Sequence, residues 1–549
     1  MTAEPHGLIL GSPRFAGSAP ADLAAWQQAA AAGMEQAARQ AGGDFAVGLT
    51  SAAGDPMLAV DRFAMRTMCW RLDGGRVRFA DRADELAGAD AELDPQALYD
   101  YLFFHAIPSP RTVFKGVHRL PPGHCLSVEA GAPIVKPYWQ PIFKEEPRPG
   151  FDRLRDEFRS LLQAAVAAQL DGGKAACFLS GGTDSSTVAG MIGLAAGRPA
   201  ATYSIGFEAE GYDEMEFARI AARHFGTEHH EYYVTPADLV KSIPAVAASY
   251  DQPFGNSSAL PAYYCALMAR DDGVTRILAG DGGDELFGGN LRYAKQRIFD
   301  MYRHVPASVR SAVLEPWLGR PGERSTALLR KAASYVDQAR RQMPGRMDVY
   351  NLLERLGVDD VLTPGFLAQI DRGGPGRQQQ AVWDGAVTDS SVNRHLAFDW
   401  RYTLAETDLP KVRGTAALAG VTVGFPMLEQ PLVDFSMRLP AAYKLKGQQL
   451  RWFFKEALRG FLPDAILTKK KQGFGLPFGV WATRDAALKA LATDSLHTLA
   501  DRGIVQRAFI SRLLKDYLPS HPGYYGEMVW ILMMLEQWMQ AKAPTYRLT

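Results

Sequence analysis

The chain has 549 residues, enough for two or three domains with large cores. Apolar residues make up 47% and charged residues 22%, as in ordinary globular proteins, and 60 Lys+Arg balance 60 Asp+Glu. That balance leaves no net field directed at nucleic acid or an anionic membrane. Cys69, Cys125, Cys177 and Cys265 stand without CxxC spacing, which argues against a disulfide framework or zinc site and fits a reducing compartment.

At the amino terminus, "MTAEPHGLIL" has neither a basic region nor a long apolar one, so no signal peptide is expected. The strand-like runs "DFAVGLTS", "PMLAVDRF" and "RVRFAD" follow the helical stretch "DLAAWQQAAAAGMEQAARQ", an α+β pattern. The segment "FKEEPRPGF" combines charge, two prolines and a glycine and reads as a linker, dividing the chain into 1–145 and 150–549. Beyond it, helix "DRLRDEFRSLLQAAVAAQL", strand "KAACFLS", helix "SSTVAGMIGLAAG", strand "ATYSIGF", helix "DEMEFARIAARHF" and strand "TRILAG" predict βα units on a parallel sheet. From Asn290 to Arg401 the text is helical and charge-rich. Near the end, "VWILMML" is shorter than the ~20 residues of a membrane span and reads as a buried helix. A soluble, cytoplasmic α/β protein is expected.

Ser180–Gly181–Gly182–Thr183–Asp184–Ser185–Ser186 closes the first of these parallel strands and opens a helix. Two glycines let backbone N–H groups approach an anion, and the helix N-terminus adds free donors and partial positive charge. A pyrophosphate fits such a cradle, yet Asp184 would repel it. The repulsion disappears if a divalent cation bridges carboxylate and phosphate, as Mg²⁺ does with one or two carboxylates. A second source of carboxylates stands after another strand of the same sheet, where "ILAGDGGDELFGG" offers Asp281, Asp284 and Glu285.

"FLSGGTDSS" resembles the pyrophosphate loop of the asparagine synthetase family, within the ATP-pyrophosphatase superfamily. The resemblance continues through "YSIGFEAEGYDEMEFARIAARHFGTEHHE", "YDQPFGNSSALPAYY", "LAGDGGDELFGG", "LPAAYKLKG", "FFKEALRGFLPDAIL" and "KKKQGFGLPFGVW", covering most of residues 150–549. It implies a HUP-like synthetase domain with large helical additions. Such a domain adenylates a carboxylate with ATP and passes the acyl group to an amine. By the resemblance, Leu179, Ser180, Gly181, Gly182, Thr183, Asp184, Ser185 and Ser186 hold ATP phosphates, Ile205 meets adenine, and Ala279, Gly280 and Asp281 line the nucleotide. Asp184 and Asp284 bind Mg²⁺, and Lys471 stabilises charge in the adenylation transition state. Lys469 and Lys470 read as a solvated basic loop. His229 and His230 point to opposite faces of a strand, which disfavours a shared metal, and Cys177 reads as a buried small hydrophobe.

The sequence also departs from that family. A glutamine-dependent member begins Met-Cys-Gly, whereas this chain begins Met1–Thr2–Ala3, and segments that clamp glutamine have no counterpart. The expectation for 1–145 is a truncated, non-catalytic remnant of an Ntn glutaminase-like α+β domain. In "GVTVGFP", Thr422 and Gly424 stand where the family carries a carboxylate and a guanidinium near the substrate, and Arg413 stands where aspartate is common. Lys411 and Pro426 are retained. The implied partners are small-molecule or peptide carboxylates and amines, a partner enzyme or precursor peptide, and a second copy of the chain in a homodimer. The expected activity is an ATP-dependent amide-forming ligase, with macrolactam closure as in lasso-peptide cyclases or ring closure as in β-lactam synthetases among its forms. Asparagine synthetase fed by ammonia or a partner, and a non-catalytic nucleotide-binding scaffold, are the alternatives.

Overall fold

The computed structural model describes residues 7–15, 21–51, 54–88, 91–303, 335–336, 338–470 and 475–548. Lys471 lies outside them.

The amino-terminal unit is layered. One antiparallel sheet contains β1 (Gly7–Gly11), β2 (Phe45–Thr50), β3 (Pro56–Val60), β7 (His124–Glu129) and β8 (Ala132–Pro137), in the order β1–β2–β3–β7–β8. A second has the order β5–β4–β6, from β4 (Cys69–Asp73), β5 (Arg76–Ala80) and β6 (Val117–Arg119). Alternation along β2 explains the stacking. Phe45, Val47 and Leu49 pack with Trp26, Met34 and Ala38 of two helices on one face. Ala46 packs on the other face with Leu58, Val60, Met68 and Val77 between the sheets.

The single helical stretch expected at the amino terminus is two helices, Leu23–Ala30 and Met34–Gln40. Gly33 separates them at φ 111°, a conformation a side chain would strain. Asp22 caps the first, its Oδ1 accepting from the Ala25 N–H at 2.9 Å. Residues 140–150 hold no helix or strand of their own: they bridge at Ile142–Val387, the Glu146 N–H donates to the Arg438 carbonyl at 2.8 Å, and helix Phe151–Ala167 begins directly after.

The carboxy-terminal unit is built on a five-stranded parallel sheet in the order β11–β10–β9–β12–β13. Its strands are β9 (Ala176–Phe178), β10 (Ala201–Phe207), β11 (Glu228–Val234), β12 (Arg276–Leu278) and β13 (Thr422–Gly424). The chain winds outward one way from β9 and the other way from β12, so the reversal point lies between them. Helix Pro522–Lys542 is the buried C-terminal helix expected from "VWILMML": Val529 to Leu535 are essentially inaccessible. No helix among the described residues is long and apolar enough to cross a membrane.

The two units share one core. Residues Trp400–Asp408 are wound as a π-helix, a form frequent at functional sites. Trp400 packs edge-on against Phe63 and parallel to Trp139 of the amino-terminal unit. One turn later, buried Glu406 accepts from Arg119, from Arg401, and from the Ser109 amide and hydroxyl at 3.1 and 2.9 Å. Replacing one partner of such a buried network leaves uncompensated charge, costing about 3–5 kcal/mol. Glu406→Gln is therefore expected to destabilise the chain on that scale and to accelerate proteolysis within 140–150. An unchanged denaturation midpoint would show that the network does not hold the units together.

Candidate active site

Two turns leave adjacent strands at the reversal point, where open parallel sheets form a ligand crevice. The first runs from β9 through Ser180–Gly181–Gly182 into helix Thr183–Ala196. Gly181 has φ +69°, and a Cβ there would stand 2.4 Å from the Ala218 nitrogen, so the close approach of helix Met215–Phe225 requires glycine. Ser185 Oγ accepts from the Ser180 N–H at 3.1 Å, which closes the turn over the helix N-terminus. The second turn runs from β12 through Ala279–Gly282 into helix Gly283–Phe287. Cys177 and Leu278 are register partners, so the two turns emerge side by side.

Between them lies a cavity of about 790 Å³. Leu179, Ser180, Gly182, Thr183, Asp184, Ser185, Ile205, Gly280, Asp281 and Asp284 line it, as the sequence places them. Gly181, Ser186 and Ala279 do not. Gly181 is covered by Phe217 and Ala218, Ala279 is buried and donates to the Gly424 carbonyl at 2.9 Å, and Ser186 is fully buried with its hydroxyl unpaired. The hydroxyl of Ser186 points away because successive helical residues diverge by about 100°.

Sequence reasoning did not find Arg451. Its guanidinium bridges the two aspartates: Nη1 donates to Asp184 Oδ2 at 2.9 Å, Asp284 Oδ1 at 2.7 Å and Thr183 Oγ1 at 2.8 Å, and Nη2 donates to Asp184 Oδ1. The side chain is 5% exposed and lies 4.0 Å over the Phe454 ring. Burial opposes its charge, but Asp184 and Asp284 outweigh that and hold the guanidinium above its ordinary pKa. The only sequence signal was a basic residue entering helix Trp452–Ala457, too common to single out.

The donor set fits Mg²⁺. Because one nitrogen touches an oxygen of each aspartate, the carboxylates converge on a common point, and they face a cavity with further oxygen donors.

Charge is crowded elsewhere in the wall. Asp281 is pushed up to about 6, chiefly by burial, with Lys411 opposing. Glu285 is raised well above the carboxylate range by burial and by Asp284, Asp408 and Asp399. Lys411 contacts Asp408 at 2.9 Å and Asp281 at 3.8 Å.

Several expectations are corrected. Lys469 is no solvated loop residue: it lines the cavity, pairs with Glu214 at 3.0 Å and sits over the Phe217 ring, whereas Lys470 is exposed. Thr422 and Gly424 do not reach the cavity. The Thr422 hydroxyl donates to the Thr275 carbonyl at 3.1 Å, and a Cβ on Gly424 would meet Gln169. Arg413 faces the amino-terminal unit, donating to Thr67 Oγ1 at 3.0 Å. His230 lies with Glu228 and Asp272 near the opposite edge of the sheet, where Lys174 already pairs with both carboxylates at 3.0 and 2.6 Å.

Comparison with known proteins agrees with this geometry. The family model described as asparagine synthase matches residues 157–540, and that of the glutamine amidotransferase domain matches 23–139. The glutamine-hydrolysing asparagine synthetase 1 of Bacillus subtilis is 24% identical over 502 residues, covering 87% of this chain and 74% of its own. A putative glutamine-hydrolysing asparagine synthetase of Mycobacterium bovis is 26% identical over 463 residues, covering 83% and 68%. Amidase chyE of Penicillium rubens is 22% identical over 483 residues, covering 80% and 70%.

Arg451→Leu leaves Asp184 and Asp284 facing each other with their buried cation removed. A loss of about 3–5 kcal/mol is expected in chemical denaturation. A midpoint equal to that of the unaltered chain would mean that the carboxylates do not depend on the guanidinium.

Proposed function

The chain belongs to the asparagine synthase family, and on that premise we propose that this carbon–nitrogen ligase joins a carboxylate to an amine through an acyl-adenylate. ATP is consumed and AMP and pyrophosphate are released. The observation that supports this reading best is the convergence of the glycine turn, Asp184 and Asp284 on one cavity at the reversal point of the sheet.

The backbone N–H groups of Gly182 to Ser185 bind the triphosphate, with the helix N-terminus favouring its charge. Ile205 gives the base an apolar seat, and Gly280, where a Cβ would stand 2.8 Å from the Ser185 nitrogen, lets the second turn pack against the first. Asp184 and Asp284 would hold Mg²⁺, which when bound would supply positive charge beside the phosphate oxygens. By the family resemblance, Lys471 would supply an ammonium to the reacting phosphate, an interaction strongest in the transition state. Residues 150–549 contain all of these groups.

In this reading, residues 1–145 are not a working glutaminase. All four cysteines of the sequence are buried. Burial pushes the Cys125 thiol up to about 11 and raises Cys69, Cys177 and Cys265 further, so none is a ready thiolate. The amine then comes from the substrate itself, as in macrolactam closure, from a separate amine, or from free ammonia. A second reading, asparagine synthetase fed by a partner, is supported by the asparagine synthetase relatives that cover most of the chain. The absence of an apolar spanning helix among the described residues is consistent with action in the cytoplasm.

Asp184→Asn removes one of the two carboxylates and is expected to abolish ATP–pyrophosphate exchange; exchange at the unaltered rate would sink the metal assignment. Glutamate release from glutamine by the purified chain is expected to stay at background with or without ATP. Sustained turnover would restore a glutamine-dependent enzyme.

A further inference from the structure

One arm of the cavity carries none of the groups assigned to the nucleotide or its metal. It begins where the chain leaves the second turn: a Cβ on Gly289 would run into the Asp284 carboxylate, and Asn290 and Leu291 follow in the lining. Leu291 opens helix Leu291–Arg303 and is 52% exposed. A two-stranded hairpin, Leu445–Lys446 with Gln449–Leu450, packs against this helix. Arg297 ties the two together, its Nη1 donating to the Leu445 carbonyl at 3.0 Å. Leu450 and Trp452, on either side of Arg451 in the sequence, are half-buried and line the same cavity. Tyr443 and Phe151 fix the Trp452 ring at centroid distances of 5.1 and 5.6 Å. Of the seven large apolar side chains exposed among the described residues, Leu291 alone lines the cavity. Apolar surface held open in such a cleft marks a ligand surface.

Charge decides what occupies it. Phosphate groups seek cations and N–H donors, whereas this arm offers Leu291, Leu450 and Trp452 with the amides of Asn290, Gln448 and Gln449. Lys446 lies 3.9 Å over the Trp452 ring but outside the lining. An acceptor resembling aspartate would bring a second carboxylate, which needs a cation once removed from water. The described cations of the lining are committed: Lys411 to Asp408, Arg451 to Asp184 and Asp284, Arg459 to Glu456, and Lys469 to Glu214. Lys455 alone has no ion pair among the described residues, and it stands one helical turn beyond Arg451, within electrostatic reach of Asp284. A triphosphate carries more charge than that ammonium and one divalent cation balance. No described cation is left over for a second carboxylate.

We propose that Leu291, Leu450 and Trp452 form the subsite for the body of the acceptor, and that this acceptor is a monocarboxylate with an apolar body. The proposal rests on the ligase reading and names its carboxylate substrate by class. It separates that reading from the asparagine synthetase alternative, whose acceptor is a dicarboxylic amino acid.

The test uses the full chain with Mg²⁺ and a non-hydrolysable ATP analogue, titrated calorimetrically with acetate, butyrate, hexanoate or aspartate. Hexanoate is expected to bind saturably and aspartate not to bind. Affinity is expected to rise roughly fourfold for each methylene added from acetate to hexanoate, as burial of apolar surface dictates. Leu291→Gln, at an exposed position, is expected to weaken hexanoate binding roughly fivefold or more. Aspartate binding as tight as that of hexanoate, affinity independent of chain length, or equal hexanoate binding in the variant overturns the proposal. The methylene series in the unaltered chain decides the matter even if the variant misfolds. The nucleotide isotherm keeps the two readings apart. A chain that binds the analogue but no hexanoate overturns the acceptor subsite alone, one that binds hexanoate but no analogue overturns the ligase reading alone, and one that binds neither overturns both.

Discussion

Like charges held close together are the constraint on which the rest of this structure depends. Asp184, Asp281, Asp284, Glu285 and Asp408 all line a single cavity, and in a low-dielectric setting each raises the cost of ionising the next. Two buried cations make the arrangement possible. Arg451 ties Asp184 to Asp284, and Lys411 holds Asp408. Arg451 reaches its place with φ 55°, a left-handed conformation that costs a non-glycine residue about 1–2 kcal/mol. Its planar fork and the Phe454 ring beneath it offset that strain with directed hydrogen bonds and a cation–π contact.

The parallel sheet explains why carboxylates can be delivered so densely. Strands β9 and β12 are neighbours in space and distant in sequence, and each ends in a turn that points the same way. A helix N-terminus follows each turn, and its partial positive charge favours an acidic residue in the first turn: Asp184 in one, Asp284 and Glu285 in the other. Local helix electrostatics thus favour the same acidic residues that line the cavity.

What is legible in the sequence follows from range. The glycine turn, the strand–helix alternation and the paired aspartates are short-range patterns, so spacing and turn chemistry reveal them. The buried run at Val529 to Leu535 is legible for the same reason, being apolar on every helical face. Arg451 is not legible, because its partners lie 267 and 167 residues away. Glu406, 287 residues from Arg119, is hidden likewise. Ser186 illustrates the converse. Its neighbours in the motif suggest a phosphate contact, but one further step around the helix turns its hydroxyl into the core. Thr422 and Gly424 occupy an edge strand outside the cavity wall, so a family pattern alone misplaces them.

The π-helix joins these observations. Its first residue, Trp400, stacks on Trp139 and donates from Nε1 to the Glu285 carbonyl at 2.8 Å. Its middle, Glu406, is clasped by Ser109 and Arg119 of the amino-terminal unit. Its last residue, Asp408, and its inward Thr403 face the cavity. A nine-residue element thereby fixes part of the acidic wall with contacts drawn from residues before position 145. Removing the amino-terminal unit would strip Phe63, Trp139, Ser109 and Arg119 from this element at once and leave Glu406 and Arg401 to repack without them. Within the carboxy-terminal unit the π-helix keeps Arg292 on Thr403 and Lys411 on Asp408, while Arg401 is the remaining described cation on Glu406. Retention of an amidotransferase-like layer therefore has a physical basis that involves no glutamine: it is the buttress for the helix that carries the acidic wall.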